Sequence, residues 1–186
     1  YARNNEEVEL PVKDIEISNI ELISDFKDNS FDVVIMNDFM EHVSDPEKVL
    51  EEAIRLVSPG GRIYINFPPY YHPFGAHLSD AINMPWCHLF FKDKTLIDAY
   101  KDLVRELPDG DERINFRISK DKNGKEYFSY INKMTIKRFN KILDKLNVVP
   151  VYYKEKELRS FLKHAAKFQF TKEMFVKMVV CVIEVK

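Results

Sequence analysis

The sequence predicts an α/β fold organised around one parallel strand–helix–strand unit, and three observations between Phe31 and Pro69 carry that prediction. First, Val33, Val34, Ile35 and Met36 form a continuous apolar run, as expected of a parallel strand covered on both faces. Second, Asp45-Pro46-Glu47 opens a helix: Asp45 can cap, Pro46 suits the first helical position, and Glu47 complements the helix dipole. Val49, Leu50, Ala53, Ile54 and Val57 then recur at helical spacing and give that helix one apolar face. Third, Ser58-Pro59-Gly60-Gly61 stops the helix, and a second strand, Arg62 to Phe67, ends at Pro68-Pro69, which cannot continue a ladder. Two apolar strands joined by a helix of this length make a right-handed parallel unit.

Upstream of that unit, Tyr1 to Pro11 reads as a frayed end, and Ile15, Ile17, Ile20, Leu22 and Ile23 suggest short strand-like pieces. Downstream, Pro68 to Phe91 is long, aperiodic and rich in Pro, His and aromatic residues, which is the composition of a lid or binding loop. Thr95 to Leu107 has helical spacing and stops at Pro108-Asp109-Gly110. Ile114 to Ile118 and Glu126 to Ile131 flank the turn Asp121-Lys122-Asn123-Gly124, predicting a hairpin. A helix is expected over Met134 to Leu146, a strand over Val148 to Tyr153, a weaker helix over Glu157 to Ala166 and a last strand over Phe175 to Val185. The expected organisation is one domain over 1–186, with a core from 12–69 and 134–186 and a lid or cap insertion over 70–133.

Composition bounds the function. A chain of 186 residues that is 45% hydrophobic is one domain's worth. No apolar run is long enough for a membrane span, and no signal-peptide pattern opens the chain. Cys87 and Cys181 stand far apart with no pairing pattern, so a reduced, cytoplasmic setting is expected, with Cys181 a buried strand residue. Residues 1–91 hold 6 Lys+Arg against 16 Asp+Glu, and residues 92–186 hold 22 against 14. That asymmetry suits a homodimer or a basic wall for an anionic substrate as well as an ordinary solvated surface. A pI near 6.3 leaves no overall footprint for nucleic acid.

Two stretches carry chemistry-bearing residues. Asp38, Glu41 and His42 stand at i, i+3 and i+4, one face if the segment is helical, and their oxygens and imidazole suit a divalent cation. The plainer reading is that Glu41 and His42 hydrogen-bond the adjoining turn. In the lid, His72, His77 and His88 can each serve as a general base, and His77 is preferred because Gly75 and Ala76 leave space around it. Tyr70, Tyr71, Phe74 and Trp86 can wall a ring-shaped substrate beside His88, or pack the loop onto the sheet. A zinc site from His72, His77, Cys87 and His88 matches no compact ligand spacing.

The order FDVVI, EHV, DPEKVLEEAIRLVSPGG and RIYINFPP resembles the fourth strand, following helix and fifth strand of class I S-adenosylmethionine-dependent methyltransferases. The resemblance holds over nearly forty residues. It implies a Rossmann-like sheet, incomplete here on its N-terminal side, whose last two strands pair antiparallel at one edge. It implies S-adenosylmethionine as cofactor, with Asn37, Asp38 and Phe39 beside its methionine end. The family's adenine contact falls by spacing near Asn19, where an acidic residue is usual. The family's glycine-rich first motif has no counterpart, since no Gly precedes Gly60. The pattern of Asp38, Glu41 and His42 is also similar to that of metal-dependent O-methyltransferases, with Asp38 in place of Glu. The implied activity is methyl transfer to an O or N acceptor on a small molecule or glycan. A non-catalytic methyltransferase-like module that acts through a partner chain or dimer is the alternative, and its mark would be the missing glycine loop.

Overall fold

The computed structural model describes residues 26–159 and 172–186. The predicted unit is present: strand β1 is Phe31–Asn37, helix α1 is Pro46–Leu56 and strand β2 is Val57–Phe67. The Asp45 side chain accepts a hydrogen bond from the Lys48 amide at 3.2 Å, and Pro46 fills the first turn, so the helix starts where its sequence says. β1 and β2 pair in parallel, with Val33 opposite Arg62 and Asn37 opposite Asn66. The glycines explain the bulged start of β2. Gly60 has φ +82°, and a Cβ on Gly61 would lie 2.6 Å from the Asp32 carbonyl oxygen.

Helices α2 (Cys87–Phe90), α3 (Asp93–Val104) and α4 (Gly110–Arg117) follow, then strands β3 (Ile118–Lys120) and β4 (Glu126–Phe128), which pair antiparallel. Helix α5 (Ile136–Lys145), strand β5 (Tyr152–Glu157), the single turn α6 (Lys172–Phe175) and strand β6 (Val176–Glu184) complete the order. The main sheet runs β1-β2-β6-β5, with β6 antiparallel to both neighbours. It is an open, Rossmann-like α/β sheet, and its last two strands pair as expected.

Ile63, Ile65 and Phe67 of β2 and Val179, Cys181 and Ile183 of β6 point to one face of this sheet. There they pack with Val49, Leu50 and Ala53 of α1 and Phe139, Ile142 and Leu143 of α5. Burial pushes the Cys181 thiol up to about 12, which fits an inert strand residue. The expected covering of both faces is not met among the described residues: on the opposite face Val33 is 50% exposed, Ile35 71% and Tyr64 40%.

Residues 68–133 build a second, smaller core from Leu78, Cys87, Leu96, Ile97, Tyr100 and Val104. Three expectations need correction. Ile114 to Arg117 is helical, because Asp109 pairs with Arg113 one turn on at 2.8 Å and Asp111, Glu112 and Arg117 complement the dipole. The hairpin turn is where it was expected, since the Asp121 carboxylate accepts from the Asn123 and Lys125 amides at 2.8 and 2.9 Å. The strand expected from Val148 starts only at Tyr152. The Val148 amide is spent on the Leu143 carbonyl at 2.9 Å and Pro150 has none to give. The alternating Lys and Glu of β5 suit an edge strand instead. Lastly, the expected helix from Glu157 gives way to strand at Glu157 itself. The rest of that span, with the strand-like pieces at 15–23 and Asn19, lies largely or wholly outside the described residues.

Candidate functional site

The carboxyl ends of β1 and β2 lie side by side, and their last polar residues meet. Asp38 turns the chain with φ +47°, and its amide donates to both the main-chain and the side-chain oxygen of Asn66, at 3.1 and 3.2 Å. The Asn66 side-chain amide in turn donates to the Asn37 side-chain oxygen. Asn37 and Asp38 are exposed, so this rim offers amide and carboxylate groups to solvent. Asn66 was not anticipated; the parallel register, which sets it opposite Asn37, is the signal that finds it. Phe39 turns inward and packs on the sheet core.

Asp38, Glu41 and His42 do not share a helical face. Residues 38–42 form a turn, in which the His42 amide donates to the Phe39 carbonyl at 3.0 Å. Glu41 and His42 are joined instead by His77 from the loop after β2. One ligating atom from each of the three lies within 4.8 Å of the other two, and among the described residues no other trio of His, Cys, Asp or Glu converges in this way. Glu41 is 3% exposed, and neither carboxylate oxygen has a hydrogen-bond partner. Burial holds its carboxyl up to about 7, with the nearby Asp38 charge adding to the rise. His42 Nε2 lies 3.6 Å from Glu41 Oε1. His42 Nδ1 lies 2.9 Å from the Tyr130 main-chain oxygen, which can only accept, so Nδ1 carries the ring proton and Nε2 is left with a lone pair facing the cluster.

His77 sits with φ +53° and its ring lies 5.0 Å edge-on from that of His42. Burial, with the positive charge of Arg117 adding, pushes His77 down to about 4, so it is neutral at pH 7. Gly75 is itself closely approached: a Cβ there would lie 2.0 Å from the Tyr70 carbonyl oxygen. That close approach is what its glycine serves.

Of the aromatic wall expected from the sequence, Tyr70, Tyr71 and His88 form one group, and Trp86 is not joined to it by a ring contact. The Tyr70 ring is 5.5 Å from Tyr71 and 4.7 Å from His88, while Trp86 packs edge-on against Phe175 at 6.2 Å. Burial lowers His88, and it takes His72 down to about 4. Cys87 lies in the smaller core and forms no metal cluster with the histidines. Tyr130, Asn132 and Arg117 also border the site and were not singled out in the sequence. The Arg117 guanidinium lies 5.1 Å over the Tyr130 ring and pairs with Asp80 at 3.2 Å. No periodicity announces these contacts, because they join segments far apart in the chain.

Comparison with known proteins gives a consistent picture. Residues 1–65 match the family described as a methyltransferase domain. An uncharacterized methyltransferase of Mycobacterium sp. (strain JLS) is 36% identical over 52 residues, 28% of this chain and 21% of the relative. Phosphoethanolamine N-methyltransferase 2 of Caenorhabditis elegans is 39% identical over 44 residues, 24% of this chain and 10% of the relative. The matched stretch thus spans about a fifth or less of the curated relatives' length. Among solved structures, a SAM-dependent methyltransferase of Archaeoglobus fulgidus aligns over 88% of this chain and 63% of its own, with 13% identity and a TM-score of 0.45.

Proposed function

We propose that this chain, whose residues 1–65 match the methyltransferase-domain family, is part of an S-adenosylmethionine-dependent methyltransferase acting on an O or N acceptor of a small molecule or glycan. The convergence of Glu41, His42 and His77 beside the Asn37–Asp38–Asn66 rim carries this reading. The rim fits the cofactor's amino-acid end, since exposed amide and carboxylate groups can meet an ammonium and a carboxylate. When bound, S-adenosylmethionine supplies a methyl group on a sulfonium sulfur.

That methyl group would be open to displacement by the acceptor atom, with the carbon–sulfur electron pair left on sulfur. The chain's own residues position the acceptor and take its proton. Glu41, held near pH 7, receives that proton, with His42 Nε2 3.6 Å from its carboxylate and neutral His77 beside it to orient the acceptor. Residues 70–133 act as the lid, and Tyr70, Tyr71, Trp86 and His88 wall a ring-bearing acceptor. No helix among the described residues is long and apolar enough to cross a membrane. Two buried free cysteines suit a cytoplasmic setting.

A second reading is favoured by the unpartnered Glu41 carboxylate: the same trio holds a divalent cation that lowers the acceptor's pKa. One oxygen and two imidazole donors suit zinc or manganese better than magnesium. Calorimetric titration of the chain with S-adenosylmethionine tests the main reading. Binding is expected, and Asn37→Ala should weaken it about tenfold while Glu41→Gln leaves it unchanged. Equal affinity in wild type and Asn37→Ala would sink the cofactor assignment. Heat on adding Mn²⁺ that disappears in Glu41→Gln would select the cation.

A further inference from the structure

The turn that carries Glu41 and His42 is held from outside its own element. Tyr130, Ile131 and Asn132, the stretch that leads out of the 68–133 segment toward α5, lie along it. The Asn132 amide donates to the Glu41 carbonyl at 2.7 Å. Its side-chain nitrogen donates to the Met40 carbonyl at 2.7 Å and to the Val43 carbonyl at 2.6 Å. Arg138, from the first turn of α5, donates through one nitrogen to the Asn132 main-chain oxygen at 2.8 Å and to its side-chain oxygen at 3.3 Å. Every donor of Asn132 is therefore spent on residues 40, 41 and 43, and both its acceptors are held by one guanidinium. Two residues earlier, the Tyr130 carbonyl takes the His42 Nδ1 proton, and the Tyr130 ring lies 4.3 Å from the His42 ring.

We propose that Asn132 is a positioning residue: by fixing the carbonyls of Met40, Glu41 and Val43 it sets the turn so that the His42 Nδ1–H donates a hydrogen bond to the Tyr130 carbonyl and Nε2 turns toward Glu41 and His77. The proposal rests on the reading of that trio as the reactive cluster, but its geometry is independent of whether a methyl group is transferred. Three carbonyls on one turn that face away from the sheet ladder need three donors, and a single Asn with its own main-chain amide supplies all three. Gln would overreach by a methylene and Asp would bring oxygens against carbonyl oxygens. Tyr130 also packs at a tilt against Phe116, with ring centres 4.6 Å apart, and lies under the Arg117 guanidinium, so the turn is tied to the 68–133 segment.

The test reads the ring nitrogens of His42 by ¹⁵N NMR in the full chain at one fixed pH. In wild type the proton should reside on Nδ1. In Asn132→Ala, with a melting temperature confirming the fold, the ratio of the Nδ1–H to the Nε2–H form should fall about fivefold, the preference that one net hydrogen bond maintains. Asn132→Ser keeps the main-chain bond and one donor, so a smaller fall is expected, and it takes over the test if the alanine variant does not fold. An unchanged tautomer ratio in either folded variant overturns the proposal, and so does a wild-type His42 that carries its proton on Nε2. Loss of the tautomer preference in a chain that binds no S-adenosylmethionine ends the catalytic reading and leaves the positioning role supported.

Discussion

The β1–α1–β2 unit and the 68–133 segment, the proposed cap, solve the problem of folding in different ways. The first is local: one capped helix joins two parallel strands, and its apolar residues fill a core shared with α5 and β6. The cap has a smaller core and leans on charged and polar ties between distant segments. Asp80 alone receives the Tyr100 hydroxyl at 2.9 Å, Arg113 at 3.3 Å and Arg117 at 3.2 Å, and Lys101 meets Glu126 at 2.5 Å. The candidate site straddles the two. Glu41 and His42 come from the sheet edge, while His77, Tyr130 and Asn132 come from the cap.

The largest expected effect sharpens that contrast. Leu50 is fully buried under the sheet, so Leu50→Ala should cost about 2–5 kcal/mol of global stability, measured by denaturant unfolding. If the cap depends on the sheet for its place, fluorescence of Trp86 in the cap and far-UV dichroism should lose their signals together. Separate transitions would show that the two cores fold independently.

Next comes the carboxylate at the boundary. Glu41 keeps its proton in the fold to about pH 7, whereas the unfolded chain releases it near 4.5. Between those values the folded chain binds more protons, so its stability falls as pH rises, and the penalty is complete above about pH 7. Glu41→Gln removes the penalty. In the presence of a chelator it should stabilise the chain by up to roughly 3 kcal/mol at pH 8, with the gain fading to nothing below about pH 4.5. A mutant equally stabilised at both pH values would mean that the gain comes from packing and not from charge.

The sequence made the first region readable and the second much less so. Asp45, Pro46 and the Val49-Leu50-Ala53 spacing act within one helix, so pattern alone locates α1, and the Gly60-Gly61 pair marks a real turn. Helix α4 was hidden because Ile114 and Ile118 favour a strand while the Asp109–Arg113 pair and the terminal charges favour a helix, and the charges prevail. Strand β5 was displaced because its apolar flank, Val148 to Val151, looked more strand-like than the charged edge that pairs. In the site, the Glu41-His42 step was visible, but its partner was not. His77 reaches it across thirty-odd residues of chain, and Tyr130 and Asn132 across about ninety. A helical reading of Asp38 to His42 chose Asp38 as the third group, and the left-handed Asp38 turn removes that choice.

The smallest predicted effect probes the cap by itself. Tyr100 is fully buried in the cap core, with its hydroxyl on Asp80 and its ring 5.5 Å from the Arg117 guanidinium. Burial and the bond to Asp80 push its hydroxyl up to about 12, so it stays a donor at any working pH. Tyr100→Phe keeps the ring and deletes one donor, and Asp80 still has two arginines, so the cost should be about 1 kcal/mol. The loss should be local: hydrogen exchange ought to speed up in α3 and α4 while β2 and β6 keep their protection, because their amides are satisfied within the sheet. Because Arg117 also lies over Tyr130, a loosened guanidinium should reach the His42 cluster before it reaches the sheet. Faster exchange in β6 than in α4 would reverse that order and show the cap to be a load on the sheet rather than a separate layer resting on its edge.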